Sequence, residues 1–427
     1  MARERTSARI DERNSSSTLG SVTAIRKALT VGCVVLVVID EACTGGTSTH
    51  AGRSSAPTQH GPAAEVPAHI DAVGVSPPDG PVAEAPPSIR SDCSADVTDQ
   101  LQQWLTGVPD GSVATFRKGA CYRVESTVTI AEKHDLLLDG RGAVLKSTTK
   151  GTRKRAHLRI QSSRNVTVRD LVVRGANPHA GTAENAYQPK LEAQHAYELL
   201  GDDGVLLEGV QAYDVYGDFV YIGKSQAGPS KRITVARSHF ERNGRQGIAI
   251  TAAQDVLVVG NEVDDVARSL FDLEPNKAQD EVRRVRIEAN TTGPVHNFWF
   301  ANKGPAASVG DITVMGNVMR APSGGLVFVF APADGARGPF KFDQNLFRVT
   351  GSVTDEDATG AFLFAHADGV TVTHNTVEVS TPGRLSGVEL RATDGVVVTG
   401  NRFLGATNAV IGAGTSKDVH VADNDAH

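Results

Sequence analysis

Aromatic residues make up only 5% of this 427-residue chain, with two tryptophans and three methionines among them or beside them in any large-residue core. Set against 43 glycines, that scarcity suits many short strands joined by tight turns better than a helical bundle. No sustained basic stripe is present and the net charge is −6, so the electrostatic footprint of a nucleic-acid-binding protein is missing and nucleic acid is not an expected partner. The four cysteines and thirteen histidines form no pairs at ligand spacing, which excludes a zinc site of the usual kind. The longest apolar run, ALTVGCVVLVVI, is too short to read as a membrane span.

That run follows Arg26 and Lys27 and has the length of a signal-peptide core, so residues 1–43 read as an export signal with a long polar n-region. Cys43 is a weak candidate for lipid attachment, because Asp40 stands where an aliphatic residue is wanted. The expected location is therefore extracytoplasmic, secreted or envelope-anchored, with any membrane attachment confined to the N-terminus. Residues 44–90 are rich in Ala, Pro, Gly, Ser and Thr without apolar periodicity, and read as a linker that cannot offset the entropy of ordering itself. The folded domain is expected over 91–427. In an exported chain Cys93 and Cys121 are expected to pair, closing a loop of about thirty residues; two free thiols are the alternative.

One phrase recurs along the rest of the chain. Alternating apolar and polar residues end in a small polar one: VTVRD to Asp170, ITVARS to Ser238, VLVVGN to Asn261, VRIEAN to Asn290, ITVMGN to Asn317, FKFDQN to Asn345, VTVTHN to Asn375, VVVTGN to Asn401 and VHVADN to Asn424. A period in the twenties means a solenoid. Asn at a constant offset suits a sharp corner, since it tolerates left-handed backbone and its amide can bond to the same amide in the next coil. A second short strand lies between most copies, among them FVYI, GIAI, LFDL and NFWFAN. The expected fold is all-β, a parallel β-helix.

These repeats, from about Asp92 onward, resemble the right-handed β-helix proteins of the pectate lyase and polygalacturonase superfamily. The resemblance covers about three quarters of the chain and is specific for fold rather than reaction. It implies that SADVTDQLQQWLTGV, with Val97, Leu101, Trp104, Leu105 and Val108 at helical spacing, is an N-terminal capping helix over an otherwise open sheet edge.

Aligning the second strands by their inward residues places Val220 with Ile248, Phe271 and Phe298. Alternation then sends Glu198, Tyr221, Ala249, Asp272 and Trp299 outward, with His195, Asp218, Gln246, Ser269 and His296 just before the strands and Glu274 further along the same face. Coils stack roughly 4.8 Å apart, so Asp218 and Asp272, two coils apart, would stand about 9 to 10 Å from each other. That is near the upper end for a glycosidase that inverts configuration. Gly217-Asp218-Phe219 looks like the polygalacturonase Gly-Asp-Asp strand with its second Asp lost, and Arg245-Gln246-Gly247 like the Gly-His-Gly strand with Gln246 replacing His. Asp272 and Glu274 stand where the family's Arg-x-Lys pair clamps a uronate, a charge reversal that favours a neutral or amino-sugar glycan.

The expected catalytic residues are thus Asp218, Asp272 and Glu274, with His195, Tyr221, Arg245, Gln246, Arg268 and Trp299 binding substrate. Insertions at 177–194 and after Asp272 are expected to wall the face. Asp202-Asp203 precedes a repeat as Asp368 and Asp394 do, and reads as turn chemistry. The leading function is a glycoside hydrolase without cofactor, acting on a polysaccharide or oligosaccharide as a monomer. A polysaccharide lyase, with calcium held by the three carboxylates and Arg245 or Arg268 as base, and a non-catalytic glycan-binding protein are the alternatives.

Overall fold

The computed structural model describes residues 75–333, 335, 337–353 and 359–427. The expected export signal, Cys43 and the first part of the expected linker lie outside them. The linker was expected to reach residue 90, whereas Val82–Glu84 is already a strand, paired in parallel with Val113–Thr115, and Ala85 and Ile89 are buried.

Each strand pairs in parallel with its counterpart one coil before and one coil after, in three columns. Val205, for example, lies between Val166 and Ile233. The one antiparallel pairing in the described residues is a small hairpin at Lys224–Ser225 and Gly228–Pro229. Period-two alternation puts Val256, Val258, Val285, Ile287, Ile312 and Val314 inside, in register down one column. One continuous apolar core therefore fills the coil from the N-terminal helix to the last turns.

The recurring Asn residues form a ladder. From Asn261 through Asn290, Asn317, Asn345, Asn375 and Asn401 to Asn424, each side-chain NH2 donates to the next carbonyl oxygen at 2.8–3.0 Å. Each also satisfies a backbone carbonyl of the preceding coil, as Asn290 does at Val258, 3.0 Å. The left-handed backbone falls one residue earlier than the sequence reading placed it: Gly260, Ala289, Gly316, Gln344, His374, Gly400 and Asp423 have positive φ. From Asn261 to Asn401 the Asn itself is buried and keeps its amide for the ladder, so its neighbour makes the turn.

The capping helix spans Thr98–Gly107. Asp96 accepts from the Thr98 amide at 3.0 Å to start it, and Pro109 follows its end. Val97, Leu101, Leu105 and Val108 seal the core, while Trp104 is partly buried with its ring 5.2 Å from that of Phe116. Close by, a disulfide joins Cys93 to Cys121 across neighbouring strands, with Cα atoms 5.0 Å apart.

Candidate active site

The second-strand column carries the candidate residues. Its register runs Tyr197, Val220, Ile248, Phe271, so Glu198, Tyr221, Ala249 and Asp272 share the outward face as the alternation requires. The next coil departs from the expected frame. Phe271 pairs with Phe300, which puts Ala301 beside Asp272 and leaves Trp299 one step back. Trp299 is fully buried: its indole N–H donates to Thr292 Oγ1 at 3.0 Å, and its ring packs edge-on against Phe271 and Phe347 at 4.9 and 4.8 Å. It is a core residue and cannot stack on a sugar. The physical reason is the corner in each coil where alternation breaks and two consecutive residues turn inward; for Trp299 it lies inside the Val295–Asn302 strand, beyond a register shift between Val295 and Phe298. Ala196, Phe219, Leu270, Trp299 and Leu326 fill that inner corner in successive coils, with Gly247 leaving room between them. The same shift replaces His296 by Phe298 in the pre-strand column.

Asp218 has no exposed surface. Arg245 Nη1 donates to its two oxygens at 3.1 and 2.9 Å, and the Gln246 amide donates to Oδ1 at 2.9 Å. His195 Nδ1 lies 3.2 Å from Oδ2 and 3.1 Å from the Asp218 amide, so it can donate to the first or accept from the second, not both at once. Burial by itself would raise the Asp218 pKa; the Arg245 charge and the His195 contact outweigh it and hold the carboxylate below its ordinary value.

Arg245 continues outward to Glu274 Oε2 at 3.0 Å, so one guanidinium ties a buried carboxylate to an exposed one. Asp218 first and Glu274 after it push the Arg245 pKa further up and keep it protonated. Asp272 is 6% exposed, and one of its oxygens accepts from the Gln246 side-chain NH2. The other end of that amide accepts from the Ser269 N–H at 2.8 Å. Burial, and then the nearby Glu274 charge, drive the Asp272 pKa well above the usual carboxylate range, favouring the protonated acid.

A cleft of about 460 Å³ opens over this wall, lined by Glu274, Arg245, His195, Tyr221, Glu198 and Glu192 among others. Tyr221 stacks on His195 with centroids 4.7 Å apart, and its hydroxyl accepts from Thr251 Oγ1 at 3.1 Å and Asn276 Nδ2 at 3.4 Å. The 177–194 insertion forms one wall through Glu192, held by the Tyr187 hydroxyl at 2.7 Å and by Arg153. The Arg268 guanidinium lies over the Tyr187 ring at 4.6 Å, bracing this wall from outside the cleft lining. Asn276 brings the other insertion to the opposite side.

Sequence reasoning thus brought together Asp218, Asp272, Glu274, His195, Tyr221, Arg245 and Gln246. It passed over Glu198, although that residue stood in the outward column, and missed its partner Arg159 at 2.6 Å and the Glu192–Arg153 pair. Each carboxylate lining the cleft is matched by an arginine, so the strongly acidic face suggested by Asp272 and Glu274 is balanced. Asp218, Asp272 and Glu274 do not converge as a calcium ligand set, because Arg245 lies between the first and the last; among the described residues no group of three or more acidic, His or Cys side chains is arranged to hold a metal. Asp202 does the turn work expected of it, accepting from the Ser163 and Leu200 amides at 2.8 and 2.9 Å, and burial lifts its pKa to about 7.

The strands stack as a right-handed parallel β-helix with a cleft over one strand column, and the solved structures agree with that fold. The chain superposes on PfbA, a surface adhesin of Streptococcus pneumoniae, with a TM-score of 0.60 at 12% identity, covering 79% of this chain and 95% of that one. It superposes on the polygalacturonase of Erwinia carotovora with a TM-score of 0.51 at 12% identity, covering 81% and 98%. The Agl-KA catalytic domain gives 0.61 at 9% identity, covering 83% and 67%. No family profile matches the sequence, and no curated protein matches it by sequence. At these identities the likeness concerns the fold.

Proposed function

We propose that the protein is an exported glycoside hydrolase acting on a neutral or amino-sugar glycan, with Asp272 as general acid and Glu274 as its ionised partner. The observation that carries this reading is the pair itself: Asp272 on the Phe271–Leu273 strand, 6% exposed and pushed toward its protonated form, and Glu274 just past the strand's end, lining the cleft, its side chain 43% exposed and ion-paired to Arg245. Opposed environments of this kind assign acid and base in a glycosidase. Asp218, without reach to a substrate, is a positioning residue that fixes Arg245. The three arginines lining the cleft, Arg153, Arg159 and Arg245, are held by its three carboxylates, which leaves Lys154 as the cation facing a uronate and favours a hydroxyl-rich glycan over a dense polyuronate. Of the two arginines the lyase alternative would use as base, Arg245 is gripped by carboxylates that keep its proton, and Arg268 lies over the Tyr187 ring outside the cleft lining.

A binding-only role is supported by the likeness to the PfbA adhesin and by the low exposure of Asp272. The test is a screen of the full chain against neutral and acidic polysaccharides with and without chelator. Hydrolysis predicts new reducing ends, no ultraviolet-absorbing unsaturated products and no loss with chelator. Unsaturated products would establish a lyase, and binding without release would establish a receptor.

A further inference from the structure

The outward face of the site column does not end at the acid pair. In register it reads Tyr221, Ala249, Asp272, Ala301, Phe328. An aromatic ring therefore stands two coils to either side of Asp272, with alanines between, and the span from Tyr221 to Phe328 is roughly 19 Å at the usual strand spacing. On the far side the Phe298 and Phe328 rings stack at 5.0 Å, and those of Phe328 and Phe330 at 5.9 Å and nearly parallel. The Lys303 ammonium lies 5.7 and 5.9 Å from the Phe328 and Phe330 centroids. These rings belong to a cluster separate from the interior core, with Phe298 and Phe330 only partly buried. Apart from Leu363, which lies next to Phe328 in register and belongs to the same cluster, outward positions elsewhere on this column are mostly polar or small, as at Glu198, Asp272 and Glu389. A row of phenylalanines there is a local exception.

Resting on the glycan reading above, we propose that Phe298 and Phe330, with Lys303 beside them, form a second sugar subsite, so that a glycan lies along the coil axis across Glu274 and is cut within the chain rather than at its end. Aromatic faces accept the apolar face of a sugar ring, and Lys303 supplies N–H donors for ring hydroxyls. The site continues in register from Asp272, which is the ground for choosing a glycan over a protein as its occupant. Tyr221 and His195 hold the units on the other side.

The test uses the full-length protein and an oligosaccharide length series of whichever glycan the screen identifies. Phe330→Ala and Phe298→Ala should raise KM about tenfold for long oligomers, leave kcat within about twofold, and leave the shortest substrate unaffected. Phe330→Trp should restore long-oligomer affinity, which a merely structural role would not do. Affinity for the same series measured calorimetrically in the Asp272→Asn background gives the binding readout without turnover. Equal effects on short and long oligomers, no effect on either, or release of single terminal units only would overturn the subsite. Binding without cleavage by the parent protein would overturn hydrolysis while the length dependence of affinity still decides the subsite; neither binding nor cleavage of any glycan would overturn both.

Discussion

Asp218 and Asp272 are chemically identical side chains that the coil treats in opposite ways. Asp218 is ionised against Arg245, and its folded pKa is below the unfolded one, so its stabilisation is present above roughly pH 4 and disappears as the pH falls through the folded value. Asp218→Asn should leave Arg245 with only Glu274 and the more distant Glu192 and cost about 3–5 kcal/mol, read by urea unfolding at pH 7. Asp202 and Asp272 have the opposite sign. Their folded pKa values are raised, so their contribution is complete below about pH 4 and is lost as the pH rises, for Asp202 through about 7. Urea unfolding at pH 5 and pH 8 should therefore show a fall in stability of a few kcal/mol at the higher pH, and Asp272→Asn should reduce that fall. The sequence placed Asp218 and Asp272 on the outward face but did not show their difference, because it depends on which of them Arg245 and Gln246 reach from the neighbouring coil.

At the scale of the strand and its corner, the Asn ladder was readable from spacing alone, since a buried amide bonded to its own copy in the next coil requires the same residue at the same offset. Asn317→Ala, in the middle of the ladder, leaves buried partners on both sides unsatisfied and should cost about 2–3 kcal/mol, whereas Asn424→Ala at its last rung should cost less than half of that in the same urea assay. Trp299 was misread for a related reason. Strict alternation fails at the corner, within the Val295–Asn302 strand as well as just before Phe271–Leu273, so Leu270-Phe271 and Trp299-Phe300 both turn two neighbours inward. Trp299→Ala should accordingly behave as a core deletion costing about 3–5 kcal/mol, not as a loss of substrate binding.

For the molecule as a whole, the coil is closed at its N-terminal end by the Thr98–Gly107 helix and fastened there by the Cys93–Cys121 disulfide. Replacing both cysteines by serine should lower stability by about 2–4 kcal/mol, seen as a lower Tm under non-reducing conditions and unchanged under reducing ones. Fold and handedness followed from the repeat and its resemblance to known β-helices, and the two insertions were expected to wall the face; which side chains they bring to the cleft, Glu192 and Asn276, did not follow, because the insertions lie outside the repeat.

The acid pair is the point on which the functional account turns. On a glycan that the protein cleaves, kcat for Asp272→Asn and for Glu274→Gln should each fall by at least about a hundredfold, and the parent's activity should decline as the pH rises through the raised Asp272 pKa. Near-parental turnover in both variants would contradict it.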